Sequence, residues 1–157
     1  IERNIVSDEA SFNSNIIENV NYISKDASGN EYIINARQGE IDYEYENIIY
    51  LTDVRATVKL ANSKEVKINS DFGKYNSTNF DTIFSKNVNV DYLTNNIKGE
   101  YLDFSIDRNT MIISKNVIYS NLENILKADV VEINIKTKDT KIFMYGNEKK
   151  VNVKSIN

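Results

Sequence analysis

No cysteine, histidine or proline occurs among the 157 residues, and glycine occurs only five times. Without cysteine there is no disulfide and no thiolate metal site. Without histidine the chain lacks both the commonest general base and the commonest metal ligand. The lack of proline removes the residue that interrupts sheet ladders. No apolar run approaches the roughly 20 residues that a transmembrane helix needs. The formal net charge of −4 leaves no basic footprint, so the chain expects no nucleic acid partner. It opens on Ile1 rather than Met, which leads us to expect a signal peptide, an anchor or further protein upstream.

What is present points to strands. Ile, Val, Asn and Thr abound and there are ten tyrosines, and β-branched and aromatic side chains suit a pleated, half-buried surface. The length fits one domain burying roughly 70% of its unfolded surface. Residues 1–15 show no alternation and are expected to be an N-terminal linker or frayed segment, with Ser7-Asp8-Glu9-Ala10 able to cap a short helix. Residues 16–157 are expected to form a single domain. Period-2 alternation runs through it: Val54, Ala56, Val58 and Leu60 against Arg55, Thr57 and Lys59, then Val88, Val90 and Tyr92 against Asn87, Asn89 and Asp91. Gly39 to Tyr45 alternates as well, which places Ile41, Tyr43 and Tyr45 on a buried face. Turns are expected at Asp26-Ala27-Ser28-Gly29, Asn62-Ser63 and Asn95-Asn96.

The pattern repeats. Ile83-Phe84-Ser85-Lys86-Asn87-Val88 returns as Ile112-Ile113-Ser114-Lys115-Asn116-Val117, with looser versions at Ile49 to Val54 and Ile16 to Val20. From Val20 to Val54 to Val88 the step is 34 residues, and from Val88 to Val117 it is 29. A small residue, Ala36, Ser70 or Gly99, stands 18 residues before the next valine, and Ala128 continues the series. After each small residue the inward positions advance by three rather than two: Ala36 to Gly39, Ser70 to Gly73, Gly99 to Leu102, Ala128 to Val131. A strand keeps one face inward across an odd step only through a bulge or a corner. The expected architecture is all-β: a roll of two facing antiparallel sheets, built from about four repeats.

Catalytic chemistry is hard to find. The acid pairs Asp103/Asp107 and Glu40/Asp42 fall on outward positions, where carboxylates are ordinarily solvated. The segment from Asp26 to Glu31 lacks the ligand spacing of a calcium loop. There is no P-loop, GxSxG or dinucleotide fingerprint. The expectation is a protein that is not an enzyme and has no cofactor and no metal.

The succession of small residue, corner, hairpin, bulky pair and Asn-Val strand resembles the OstA-like repeat of lipopolysaccharide transport. Tyr32 to Asp42, Ile49 to Ala56, Ile68 to Tyr75 and Lys86 to Val88 carry the resemblance, and it is greatest to the LptC family. The resemblance implies a twisted β-jelly roll with an apolar interior groove. It implies a role in the periplasm, accepting lipopolysaccharide from an LptF/LptG-type inner-membrane transporter and passing it to an LptA-type bridge protein. It also implies an N-terminal inner-membrane helix that this chain does not contain. The lipid-facing candidates are Ile34, Tyr43, Val54, Ala56, Val58, Ile68, Phe72, Val88, Val90, Phe104, Val117 and Tyr119. A roll of strands ends in two open edges suited to strand addition; Ile17, Val20 and Tyr22 mark the first, and Phe143, Tyr145, Val151 and Val153 the last. Other readings are a soluble LptA-type bridge protein, a structural β-solenoid of a surface or adhesin protein with a tightly filled interior, and a carbohydrate-binding roll.

Overall fold

The computed structural model describes residues 15–62 and 64–144, together with the backbone of 149–154. The expected linker and helix cap at 1–14 lie outside these residues, as do Tyr145 and the side chains of Val151 and Val153. Ten strands follow one another: β1 (Asn15–Lys25), β2 (Glu31–Ile41), β3 (Ile48–Lys59), β4 (Glu65–Asn76), β5 (Thr82–Tyr92), β6 (Asn95–Ser105), β7 (Thr110–Ser120), β8 (Ile125–Asn134), β9 (Asp139–Met144) and β10 (Lys149–Lys154). Each pairs with the next, antiparallel, in a single sheet of order β1 to β10. The two expected layers are therefore two halves of one folded sheet. The meander shows no boundary that would count its repeats.

The fold line crosses the middle of the strands. Val20 pairs with Ala36, Ala36 with Val54 and Val54 with Ser70; further on Val88 pairs with Gly99 and Val117 with Ala128. The valines and small residues that mark the sequence period are thus cross-strand neighbours along one crease. The backbone turns beside them. Asn19, Asp53, Asn87 and Asn116 have φ between 53° and 55°, and Lys86 and Lys115 join them at 65° and 69°. Asn and Asp tolerate this left-handed region better than other residues with a side chain. The register shifts opposite Lys86-Asn87 and Lys115-Asn116, where two residues face the single Glu100 or Asp129. On β4 the buried Ser70 hydroxyl donates to the Phe72 carbonyl oxygen at 2.8 Å, satisfying a polar group inside the bend.

The expected step of three holds at the small residues of β2, β4 and β6. Ala36 and Gly39, Ser70 and Gly73, and Gly99 and Leu102 are all buried. Three interior assignments do not hold. Tyr43 is 86% exposed, because β2 ends at Ile41 and a loop begins. There the Asp42 carboxylate accepts from the Glu44 and Tyr45 backbone N–H groups at 2.8 and 3.0 Å and breaks the alternation. Phe72 is 45% exposed, because the step from Ser70 to Gly73 turns the residue between them outward. Tyr45, 61% exposed, lies in the same loop as Tyr43. The turn expected at Asn95-Asn96 lies at Leu93-Thr94 instead, with Leu93 supplying φ of 55°. Gly29, at φ 90°, serves the expected first hairpin.

Candidate functional site

Folding the sheet turns two apolar rows toward each other. On one side of the crease Ile34, Ala56, Ile68, Val90, Ile97 and Tyr119 are successive cross-strand neighbours from β2 to β7. On the other side Gly39, Leu51, Gly73, Phe84, Leu102, Ile113, Val131 and Ile142 run from β2 to β9. Both rows are buried. Of the lipid-facing candidates, Ile34, Val54, Ala56, Val58, Ile68, Val88, Val90, Phe104, Val117 and Tyr119 lie in this interior; Tyr43 and Phe72 do not. The candidate set missed Leu51, Phe84, Leu102 and Ile113. The signal was there: Phe84 and Ile113 are each the second of the bulky pair before the polar break, Leu51 closes the run Ile49-Tyr50-Leu51 in the looser version, and Leu102 is the inward residue three after Gly99.

The arms of the folded sheet end in two rims of hairpins. The first rim carries the β1–β2, β3–β4, β5–β6 and β7–β8 turns, and the second carries β2–β3, β4–β5, β6–β7 and β8–β9. Polar ties run along each rim. Ala61 N–H donates to Asn30 Oδ1 at 2.9 Å in the first; Ser77 N–H donates to the Asn47 carbonyl oxygen at 2.8 Å and Ile135 N–H to that of Asn109 at 2.7 Å in the second. Across the mouth the rims meet through aromatic rings. Tyr22 stacks on Tyr75 at 4.9 Å, and Tyr32 meets Phe104 edge-on at 5.7 Å. Phe80, from the β4–β5 loop, packs against the core beside them. Among the described residues, this interior contains partly open apolar cavities of about 40 and 10 Å³. A cavity needs roughly 10–15 Å³ to hold one water, so neither admits an acyl chain in this closed form.

The interior desolvates the tyrosines that reach into it. Desolvation raises the hydroxyl pKa of Tyr22, Tyr32, Tyr75 and Tyr119, and that of Tyr75 is pushed up to about 12. At the first rim Asp26 organises its hairpin: its carboxylate accepts from Ser28 and Asn30 backbone N–H, the Asn30 amide and the Tyr32 hydroxyl, each at 2.9 Å. Partial burial works to raise its pKa, and these bonds outweigh it and lower the value.

One member of each acid pair has a structural partner. Asp103 meets Arg108 at 3.4 Å, and Asp42 holds its own loop and the Tyr50 hydroxyl at 2.7 Å. The outer side of the crease is a polar groove of about 760 Å³ lined by Asn19, Asn35, Arg55 and Asn69 among others, with Arg37 paired to Asp53 at 2.6 Å and Asn87 to Asp71 at 2.7 Å. At the ends of the meander β1 pairs only with β2 and β10 only with β9 among the described residues. The edge candidates Ile17 and Val20 point into the core, and Tyr22 and Phe143 are partly buried. No described helix is long and apolar enough to cross a membrane.

A family model described as "Lipopolysaccharide-assembly, LptC-related" matches residues 6–154, nearly the whole chain. No curated protein matches it.

Proposed function

Since the chain belongs to the LptC-related family of lipopolysaccharide-assembly proteins, we propose that it is a non-enzymatic periplasmic part of that transport system, held at the inner membrane. In this reading it accepts lipopolysaccharide from an LptF/LptG-type transporter and passes it to an LptA-type bridge protein. The observation that carries the reading is the unbroken apolar row that crosses strand after strand, along the axis of the roll, between two edges that are unpaired among the described residues. An acyl chain crossing water needs such a floor, and sheltering it is worth about 0.8 kcal/mol per CH₂. That holds the lipid but gives no direction, so the direction comes from the ATP-driven partner. The path opens when the aromatic contacts between the rims separate.

A photo-crosslinking residue at Val58 or Val90, both buried, should capture lipopolysaccharide in cells with an active transporter. One at Lys59 or Asn89, on the opposite face, should not. Equal capture by both faces would overturn the conduit. The small cavities favour a second reading, a structural roll with a permanently filled core, for which no position captures lipid.

A further inference from the structure

The β8–β9 hairpin places a cation where the apolar interior meets the surface. Leu60, Ile135 and Lys138 line the 40 Å³ inner cavity, and the same three residues line a surface pocket of about 280 Å³. They form the wall between the two. On the inner side of the wall stand Val66, Val90, Ile97 and Met111. On the outer side stand Ser28, Asn30, Asn62, Asn109 and Lys136. Among the described residues neither lining includes an Asp or Glu, although the chain carries a net charge of −4. Asp26, which binds Asn30, does not line the pocket.

Lys138 is only partly exposed, and burial lowers its pKa. Its Nζ donates to the Ile135 carbonyl oxygen at 2.7 Å and more loosely to that of Lys136 at 3.5 Å. Carbonyl oxygens solvate an ammonium but do not neutralise it, and a charged acceptor makes a stronger bond. A lining that includes two lysines, three asparagines and a serine suits an anion of about two charges that carries further polar groups; a phosphate monoester has about −1.5 to −2. The side chains behind the wall are apolar, so the tail of the same molecule would enter there only as Leu60 and Ile135 part, since the cavity of about 40 Å³ does not hold a chain as it stands.

We infer that this pocket binds the phosphorylated headgroup of an amphiphile, with Lys136 and Lys138 on the phosphate and the acyl chain passing between Leu60 and Ile135. The site is a portal in the side of the roll, and the inference rests on the interior being a lipid path.

The test is calorimetric titration of the full chain with three probes: a monoacyl lysophosphatidic acid below its micellar concentration, the uncharged monoacylglycerol of the same chain length, and inorganic phosphate. The lysophosphatidic acid should bind about tenfold or more tightly than the monoacylglycerol, the increment of a charge-assisted hydrogen bond. Lys136→Gln/Lys138→Gln should lose most of that preference with an unchanged melting midpoint, while Lys98→Gln keeps it. The portal is overturned if the charged and uncharged lipids bind alike, if none binds, or if the double variant keeps the preference. It is also overturned if inorganic phosphate binds as tightly as the lipid, which would mean an adventitious ion only. Capture of lipopolysaccharide at Val58 and Val90 that survives the double substitution would leave the conduit standing and remove the portal alone.

Discussion

At the scale of single residues, the interior hydroxyls tie stability to pH. Tyr75 lies against Tyr22 with its pKa pushed up to about 12, by desolvation first and by its neighbour second. A tyrosine ionises more readily in the unfolded chain, where its pKa is about 10. The stability that depends on keeping it neutral is therefore complete below pH 10 and falls as pH rises through 10 to about 12. Melting midpoints should hold steady up to about pH 9 and then fall steeply. Tyr75→Phe, which keeps the ring and removes the titrating group, should retain more of its midpoint at about pH 11 than the parent chain. Parallel declines in the two proteins would show that Tyr75 is not shielded. Asp26 has the opposite sign. Its lowered pKa means that its contribution is present above the usual aspartate range and is lost as pH falls through the folded value.

At the scale of the strand, the crease is the element that turns a meander into a roll, and close packing holds it. A Cβ on Gly99 would come within 2.7 Å of Ile113 Cγ2 and 3.3 Å of the Ser114 carbonyl oxygen. The first contact is closer than real Cβ atoms allow, and the second is with backbone that the bulge at Lys115-Asn116 fixes. Gly99→Val should therefore cost about 1–3 kcal/mol by overpacking. Lys98→Val, one residue away on the exposed face, should cost far less. Chemical denaturation of both variants decides the matter, and equal midpoints would mean that Gly99 is not pinned. Most of this element was legible in the sequence, because a period-2 pattern cannot hide an odd step. The step at Ser70 already required Phe72 to point outward. The alternation alone did not show which strand bends its backbone. The small residues gave the period, but the left-handed residues sit on the partner strands, at Asn19, Asp53, Asn87 and Asn116. Tyr43 was misread for a different reason. Its alternation with Asp42 and Glu44 is that of a strand, and only the bonds of the Asp42 carboxylate make it a loop.

At the scale of the whole molecule, the apolar rows could be read from the chain, but the closure of the mouth could not. Tyr22 and Tyr75 are 53 residues apart in sequence and Tyr32 and Phe104 are 72 apart, so no local periodicity joins them. Phe80 and Lys138 sit in turns where there is no periodicity to follow. The closure decides how the proposed conduit would work, because the polar ties run along the rims and the aromatic contacts run across them. Under the proposed function, such a mouth would part by exchanging apolar contacts for the acyl chains of a ligand, with the rim hydrogen bonds left intact. The absence of native cysteine makes this testable. Ser24 and Phe80 line the smaller cavity from opposite rims. In a Ser24→Cys/Phe80→Cys variant carrying the photo-crosslinker at Val90, a short bismaleimide bridge should staple the rims together. Lipopolysaccharide capture at Val90 should then fall to background when the bridge is formed, and persist in the same variant treated with a monofunctional maleimide. That control carries any loss of Phe80 packing equally. Undiminished capture in the stapled protein would show that lipid reaches Val90 without the rims parting, and the path would then have to run in through the unpaired strand edges alone.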